Sequence, residues 1–412
     1  MGIRFGSTPI RNVVMEPSNI ARTLRPRPWI RNPRWLDMPT IASNESRFTA
    51  LVGISSEFKN QFVFKVNTTS GDYTVDWGDG NTDTYADNAV AEHTYNYSDL
   101  NANTEFTHTK DGRTYRQALI SVTPQAGQGF DRVDLIEDPP NNSHPYSNPR
   151  MYLDMVFGSP NITHLSSISS IAGNYCKDLE HIRIVSFSDS LTSFHTTFGY
   201  MPCLKSIEID RSTSNITNWT NAFYECYSIE QIPELDFSGA TTFQNTFYRC
   251  MKLVEAPSSL SNASPTRVDT MFYDCVLLRK IPMMDTSNCT NFKNMFMYCR
   301  NLDFAPPLDT SNGTDFYRMF FGCRSLKEIP KNLDTSSTNQ TDSNPNYQMF
   351  YDCNQIQTIP KLTNLAGSLQ SMFQQCFNLK RIPAIDFSKA TNTQYMFYNC
   401  NSLQSLPALN IT

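Results

Sequence analysis

The sequence predicts a mostly β protein with short helical turns, in which an extended arm precedes a β-sandwich and a solenoid of about ten stacked coils. Three observations predict this order: a Pro- and Trp-rich opening, alternating apolar residues in the next segment, and a motif that recurs through the second half. The predicted units are an arm at 1–47, a sandwich at 48–126, a linker and solenoid cap at 127–164, and the solenoid at 165–412.

The composition is typical of a folded, soluble protein. The chain has 412 residues, of which 39% are hydrophobic and 18% are charged, enough for a large core and about two or three domains. It contains no run of about 18 apolar residues, and its opening lacks the apolar stretch of about 7 to 15 residues that a secretory signal needs. We therefore expect no membrane insertion and no signal-directed export.

The recurring motif is Phe, two residues, Cys, two residues, Leu, two residues, then Ile or Ala. Its spacing of 23 to 30 residues is the period of a leucine-rich-repeat solenoid. A single coil cannot bury this apolar face, whereas stacked coils can. The positions of the repeat cysteine are Cys176, Met201, Cys226, Cys250, Cys275, Cys299, Cys323, Cys353, Cys376 and Cys400.

Each part of the coil has a predicted conformation. Phe and Cys at positions i and i+3 share one face of a short helical turn, and the Leu-to-Ile segment runs extended into a parallel ladder. A Pro follows from Pro233 onward and marks the strand end, because Pro cannot donate to the ladder. The next turn contains an Asp whose carboxylate is expected to accept from the amide of a Ser two residues later. The turn aspartates are Asp236, Asp285, Asp309, Asp334 and Asp386.

The cysteines are interpreted as buried, unpaired side chains. Thiols that repeat once per coil point in parallel, so consecutive ones do not have the convergent geometry of a disulfide. No clustered CxxC supports zinc, and no His after His195 supports a Cys nucleophile. Many free thiols indicate assembly in a reducing compartment. Cys203 and Cys289 lie off the repeat, and the sequence does not predict their exposure.

The coils resemble the BspA-type leucine-rich repeats of bacterial surface and phage proteins. The resemblance covers roughly residues 165–412 and is most specific in "CTNFKNMFMYC" and "DTSNGTDFYRMFFGC"; the Ile-Pro pair departs from the family pattern. It implies a solenoid with one strand per coil, whose usual role is adhesion or interaction rather than catalysis.

The segment 48–126 predicts short antiparallel strands around a tight "GDGN" turn. It resembles the immunoglobulin-like sandwich of PKD type through Trp77–Gly80, His93–Tyr95 and Arg116–Val122. The carboxylate and amide side chains near this turn could form a calcium loop or could simply cap the turn. We favour capping, and we interpret His93 as a structural turn residue. Alternating apolar residues define the strands: Phe62, Phe64 and Val66, then Tyr73, Val75 and Trp77, then Leu119, Ile120 and Val122.

The arm is basic on an otherwise acidic chain. Residues 1–40 carry a net charge of +5, which leaves −10 for the rest of a chain of net charge −5. Interleaved Pro and Trp favour docking on a protein partner over tracking of nucleic acid, so nucleic acid is not expected as a partner. The predicted anchoring residues are Arg22, Arg25, Arg27, Trp29, Arg31, Arg34 and Trp35.

An aromatic residue follows the repeat Phe in most coils and lies about 100° round from the core face of the predicted turn. Two interpretations stay open, a contact surface or rings that seal the edge of the core. The candidate binding face consists of Tyr224, Tyr248, Tyr273, Phe321, Tyr351 and Tyr398.

No pattern indicates catalysis. There is no Ser/His/Asp arrangement and no phosphate-binding Gly loop, and the few histidines are not at ligand spacing, so we expect no enzyme activity, metal or cofactor. Adhesin-like units, an anchoring arm and free thiols without an export signal together favour a phage virion protein assembled in the host cytoplasm.

In that leading hypothesis the arm binds other virion proteins, and the solenoid is displayed, as in a tail fibre or adhesin, towards a host-surface glycan or protein. One alternative is a capsid or tail decoration (cement) protein, and another is a bacterial surface interaction protein. The arm and an open solenoid end favour a homo-oligomeric or larger assembly.

Overall fold

The computed structural model describes residues 28–57, 60–108, 112–135, 151–165, 176–330, 332–338, 345–360, 362 and 365–406. The described part of the chain is built from β-strands and three short 3-10 helices, Tyr97–Asp99, Ala102–Thr104 and Ser258–Asn262. The strands are β1 Arg47–Ser55, β2 Asn60–Thr68, β3 Tyr73–Asp76, β4 Thr82–Tyr85, β5 Val90–Tyr95, β6 Phe106–Thr107, β7 Thr114–Pro124, β8 Phe130–Asp134, β9 Met151–Gly158, β10 His181–Ser186, β11 Ser206–Ile209, β12 Ala366–Ser368 and β13 Lys389–Asn392.

The first unit is a two-layer sandwich. One layer has the strand order β5-β2-β8, and it faces the strands β1, β7, β3 and β4 of a larger sheet. The predicted alternating residues of β2 and β3 point into the space between the layers, where Phe64 contacts Trp77 with ring centroids 5.6 Å apart. Leu119 is the exception in the predicted set, because it packs on the opposite side of its sheet.

The sandwich and the solenoid share one sheet. Strand β9 pairs antiparallel with β1 of the sandwich and parallel with β10 of the solenoid, giving the order β11-β10-β9-β1-β7-β3-β4. The predicted sandwich boundary at residue 126 therefore falls inside the two-sheet unit, which continues through β8. The predicted cap segment contains β9, which closes the first edge of the solenoid, and the predicted linker at 137–150 lies outside the described residues.

The solenoid confirms the predicted stacking of mostly β coils. The repeat phenylalanines from Phe198 to Phe397 form a column of nearly parallel rings with centroids 5.2–5.9 Å apart. The repeat leucines and cysteines belong to the same continuous apolar core, which also includes the interior of the sandwich. Dry packing along this whole length is what holds coils that contain little regular secondary structure.

The Leu-to-Ile segment forms regular strands only in the first coils. Strands β10 and β11 pair over several residues, but later coils are joined there by single bridges such as Glu255↔Lys280 and Phe304↔Glu328. The difference follows the sequence, because the coils of β10 and β11 lack the Pro that occurs from Pro233 onward. Pro has no N–H for the ladder, so it ends the strand, as predicted.

The Asp turns also form as predicted. Each turn aspartate accepts a hydrogen bond from the amide of the Ser two residues later, at 2.8–3.1 Å. Hydrogen bonds from Ser hold the pKa of Asp236, Asp285 and Asp309 below the usual range of a carboxyl. Local bonds therefore stabilise a column of like charges on successive coils.

Candidate interaction surface of the solenoid

The segment around the repeat Phe and Cys has an unusual backbone that sets the surface. Asn221 and Glu225 both adopt left-handed φ values, 57° and 58°, on either side of Phe223. A helix cannot propagate through such residues, so the predicted helical turn is a series of hydrogen-bonded turns instead. The same alternation recurs in later coils, with left-handed residues one and five positions before the repeat cysteine.

This backbone divides its amides between two directions. The N–H groups of Phe223 and Glu225 donate to the next coil, to Thr246 O at 2.9 Å and Tyr248 O at 2.8 Å. The intervening Tyr224 N–H donates within its own coil, to Asn221 O at 3.1 Å. Every second amide thus joins neighbouring coils, and the segment predicted as a helical face is the main hydrogen-bonded ladder of the solenoid.

The repeat cysteines extend this ladder through their side chains. From Cys226 onward, each Sγ lies 2.9–3.2 Å from the carbonyl oxygen of the Phe in the preceding coil and donates to it. Burial raises the pKa of the Cys226 thiol to about 12, so the proton stays on sulfur at neutral pH. The thiol column is therefore structural, and within the described residues the cysteines form no disulfide.

The two off-repeat cysteines differ in exposure. Cys289 is buried, and its Sγ donates to Pro265 O at 3.0 Å. Cys203 is partly exposed. Cys289 repeats the thiol-to-carbonyl contact of the column at another position of the coil, while Cys203 is the accessible thiol.

Most of the predicted aromatic residues form one stacked row. Tyr224 and Tyr248 are parallel with centroids 4.5 Å apart, and Tyr248 and Tyr273 are 4.6 Å apart. Further along, Phe321 stacks on Tyr351 at 4.6 Å. We call this the aromatic row; its members are Tyr200, Tyr224, Tyr248, Tyr273, Tyr298, Phe321 and Tyr351.

Two members of the row come from a position that the sequence did not indicate. In one coil the residue at the row position, Met297, is buried, and the next residue, Tyr298, joins the row instead. The Tyr298 ring meets the Phe321 ring edge-on, with centroids 5.4 Å apart. Tyr200 likewise lies directly before its repeat position and contacts Tyr224 at 4.9 Å. Both have left-handed φ values, and this turns the side chain that precedes the repeat position into the row. The signal was present as a Tyr at a neighbouring position, but its placement depends on the backbone.

Tyr398, the last predicted member, lies apart. It is 53% exposed and contacts Tyr395 at 5.8 Å rather than a member of the row. The intervening coil carries Gln374 at the row position, and this breaks the stack. The predicted face is thus brought together from Tyr224 to Tyr351 but not at Tyr398.

Stacking determines what the row offers to a partner. In the parallel pairs, each ring covers a face of its neighbour, so ring edges and hydroxyls form the half-exposed surface. Burial raises the pKa of Tyr224, Tyr248 and Tyr273, so these phenols are neutral hydrogen-bond groups at physiological pH. The rings pack on one another and still present an edge to solvent, so the two interpretations, a contact surface and a seal for the core edge, both stay open.

Amides and charges flank the row. Asn245 Nδ2 donates to Asn221 Oδ1 at 3.0 Å, which begins a polar line beside the rings. Arg249 pairs with Glu225 at 2.9 Å and with Asp274 at 3.7 Å. Partial burial raises the pKa of Asp274, with Arg249 acting in the opposite direction. The surface is therefore a regular mixture of aromatic edges, amides and paired charges.

The structure places three predicted anchoring residues against the chain itself. Trp35 is 5% exposed and packs on the outer side of the shared sheet, in a cluster with Leu51, Tyr115 and Met151. We call residues 28–41 the N-terminal strap. It crosses the side of the sheet that faces away from the sandwich core, so Trp35 is a core residue and not a partner contact.

Trp29 and Arg31 hold the strap to the solenoid junction. The Trp29 ring stacks on His181 at 4.7 Å. Arg31 Nε lies 2.7 Å from the buried Asp154, whose other oxygen contacts His181 Nδ1 at 2.7 Å. Burial alone would raise the pKa of Asp154, but His181 and then Arg31 outweigh it and hold this pKa below its usual value. The docking role predicted for Trp29, Arg31 and Trp35 is thus replaced by an intramolecular one.

The other anchoring residues are not engaged in this way. Arg34 is exposed, and only its backbone takes part, accepting from Gln117 Nε2 at 2.9 Å. Arg22, Arg25 and Arg27 lie outside the described residues. Docking through these arginines stays a prediction.

The turn near Trp77 shows capping contacts. Asp76 accepts from the Gly78 amide at 2.9 Å, and Asp79 accepts from the Asn81 amide at 3.0 Å. His93 Nε2 lies 2.7 Å from Asp79. Within the described residues, no group of three or more His, Cys, Asp or Glu side chains is arranged to hold a metal ion. The described parts of the chain also contain no helix with the length and apolar character needed to cross a bilayer.

Comparisons with known families match the solenoid. Residues 192–305 and 266–366 match a model described as "Mycoplasma protein of unknown function, DUF285". Residues 332–410 match six copies of the BspA type leucine-rich repeat region, which confirms the predicted repeat type there. Neither match covers the sandwich or bears on a phage origin, so the PKD-type resemblance and the virion hypothesis stay predictions.

A solved structure is also similar. It is the crystal structure of a leucine-rich cell surface protein from Faecalibacterium prausnitzii A2-165, with 18% identity and a TM-score of 0.25 over 55% of this chain and 78% of that one. A comparison with curated proteins gives no match.

Proposed function

We propose that the chain is a non-enzymatic interaction protein whose solenoid binds a surface partner through the aromatic row and the amides beside it. The observation that carries this proposal is the row itself: half-exposed rings held in register by the main inter-coil ladder over successive coils. Tyr and Asn are favoured in paratopes because they supply large contact areas and hydrogen bonds at low entropic cost. A rigid backbone adds preorganisation.

The finer proposal is that this protein belongs to a phage virion assembled in the host cytoplasm, with the solenoid displayed towards the host surface. Free, buried thiols support folding in a reducing compartment. The basic segment before the strap supports anchoring on acidic virion subunits. This finer proposal would be overturned if the native protein were found outside any particle.

The intramolecular strap changes how anchoring must be tested. Removing residues 1–45 would uncover the apolar side of the shared sheet and unfold the junction. Deletion of residues 1–27 removes the five arginines before the strap, among them Arg22, Arg25 and Arg27, but keeps the strap itself. Full-length and shortened chains should then be incubated with host cell envelopes and with particles depleted of this protein.

Retained envelope binding with lost particle binding is the expected result for the shortened chain. Binding to particles alone would instead identify a decoration protein. The row is tested by Tyr248→Gln, because Gln374 occupies the same coil position and Gln is therefore compatible with the backbone. Phe304→Gln is the matched control, since Phe304 is 53% exposed outside the row. Unchanged envelope binding by Tyr248→Gln would overturn the assigned surface.

A further inference from the structure

Three cations beside the aromatic row lie over rings rather than next to carboxylates. Lys293 Nζ is 5.1 Å from the centroid of Tyr317. Arg318 Cζ is 4.9 Å from the same centroid and 5.3 Å from that of Phe321. Arg300 Cζ is 5.8 Å from the centroid of Tyr298. We call Lys293, Arg300 and Arg318 the cation cluster.

The rings connect these cations into one patch. Lys293 and Arg318 share Tyr317, while Tyr298 and Phe321, the rings under Arg300 and Arg318, are 5.4 Å apart. The cluster therefore spans adjacent coils, whose spacing is about 4.8 Å in a parallel ladder. Three positive charges lie within reach of a single extended ligand.

The cluster differs from other cations along the same side of the solenoid. Arg249 pairs with Glu225 and Asp274, and Arg324 pairs with Asp352 at 2.8 Å. Within the residues that the structure describes, no carboxylate oxygen lies within 4.0 Å of the cluster's cationic nitrogens. Arg300 acts on Asp274 through space, but none of the three cations has a carboxylate of the described residues within salt-bridge distance, so the cluster keeps a positive charge that an anionic ligand would neutralise.

Arg318 has the most contacts of the three. Its Nε donates to Gln348 Oε1 at 2.8 Å, and Tyr347 adds a third ring at 5.6 Å. A guanidinium fixed on one edge and flanked by rings loses little entropy when its remaining N–H groups bind an anion. Its planar donors match the paired oxygens of sulfate and carboxylate groups.

We propose that the cation cluster binds sulfate or carboxylate groups of an acidic polysaccharide. The inference rests on the proposed interaction function and names the partner class of the same side of the solenoid. Polar contacts favour a polysaccharide over an acidic peptide, because phenols and amides suit a hydroxyl-rich ligand. The apolar grooves, around Pro257 and around Phe304, are lined by other residues. Apart from the basic residues 1–40, the chain carries a net charge of −10, which disfavours polyanion binding elsewhere on it.

The test uses the full-length chain and immobilised polymers of defined charge: dextran sulfate, polygalacturonate, uncharged dextran and polyglutamate. Arg318→Gln removes the central charge, and Gln348 shows that Gln is accepted at this left-handed coil position. The control is Arg183→Gln, which removes the same charge from a residue of β10 that pairs with Asp210 at 2.9 Å and does not flank the aromatic row.

Binding to dextran sulfate or polygalacturonate, but not to dextran, is expected, with weakening at high salt. Arg318→Gln should weaken binding at least about tenfold, as expected for loss of a charge-assisted hydrogen bond, and Arg183→Gln less than about twofold. The proposal would be overturned by any of three results: equal effects of the two variants, no binding to either charged polysaccharide, or tighter binding to polyglutamate than to the charged polysaccharides. If charged polymers fail while envelopes still bind, only this inference falls; if envelopes also fail, the proposed function falls with it.

Discussion

Substitution of Trp35 by Ala is predicted to loosen the junction between sandwich and solenoid. Trp35 is almost fully buried between the strap and the outer side of the shared sheet. Beneath it lie Leu51 of β1 and Met151 and Leu153 of β9, the two strands that join the units. Loss of the ring therefore removes apolar contact at the point where the sandwich meets the solenoid.

The magnitude follows from the buried area and from one unsatisfied group. A buried Trp covers about 150–250 Å², worth about 4–6 kcal/mol at about 25 cal/mol per Å². The indole Nε1 is buried and has no acceptor among the described residues, which offsets about 1–3 kcal/mol of that gain. We therefore expect Trp35→Ala to lower the free energy of unfolding by about 3 kcal/mol.

The assay is urea unfolding of the full-length chain, combined with hydrogen exchange of the amides in β9 and β10. Trp35→Ala should lower the unfolding midpoint and speed exchange in these two strands more than in the distant coils. Ile30→Ala is the matched control, because Ile30 belongs to the same strap but is 83% exposed. A change below about 1 kcal/mol for Trp35→Ala, or equal effects of both variants, would refute the reasoning, since surface substitutions typically stay within about 0.5 kcal/mol.

Three further predictions test the thiol column and the strap. Cys299→Ala should lower the free energy of unfolding, measured by urea titration, by about 1–2 kcal/mol. The cost arises because the substitution removes the buried sulfur, leaves a cavity and breaks the hydrogen bond to Phe272 O. A neutral effect would contradict a structural role for the thiol. In the native protein a thiol reagent should modify Cys203 rapidly and the buried cysteines only on unfolding. Modification of well over one thiol per chain in native buffer would disprove this expectation. Because the folded pKa of Asp154 is depressed below 3.8, its contact stabilises the chain above that pH and is lost as pH falls through the folded value. Asp154→Asn should remove this acid-dependent loss from the pH profile of stability, and an unaltered profile would contradict the assignment.

The repeat could be predicted from sequence because each coil repeats the same local requirements. A buried Phe, a buried Cys and a buried Leu recur at fixed offsets, and Pro233 marks where regular strands give way to single bridges. The Asp turns follow from side-chain chemistry within three residues. Such features need no knowledge of distant contacts, and they predicted the stacking of the coils and the members of the row from Tyr224 to Tyr351 except Tyr298.

The left-handed backbone could not be predicted from residue types. Glu225, Arg249 and Tyr298 all adopt positive φ values, although none of these residues favours that region. The inter-coil bonds offset the local cost, and they exist only in the stacked state. Propensity alone predicted a helical turn, because it describes a coil without its neighbours.

The strap was misassigned for a related reason. Arg31 and Trp35 lie more than one hundred residues before their partners Asp154 and Met151, and nothing local distinguishes an arm that binds a partner from one that binds its own chain. Net charge and interleaved Pro predicted an extended, anchored segment, and residues 28–41 are such a segment. Only the identity of the surface beneath it was wrong.

The shared sheet joins the sandwich directly to the solenoid that carries the proposed binding surface. Strand β9 pairs with the edge of β10, so the first coil cannot add another parallel strand there. The strap packs on the outer side of these two strands. The aromatic row begins two coils away, at Tyr200, on a backbone bonded continuously to that joint. A partner anchored near the strap would therefore present the row and the cation cluster in one orientation, since β9 pairs directly with both β1 and β10. Rigid presentation lowers the entropic cost of multivalent attachment to an extended ligand, which is the advantage a long solenoid surface offers over a single pocket.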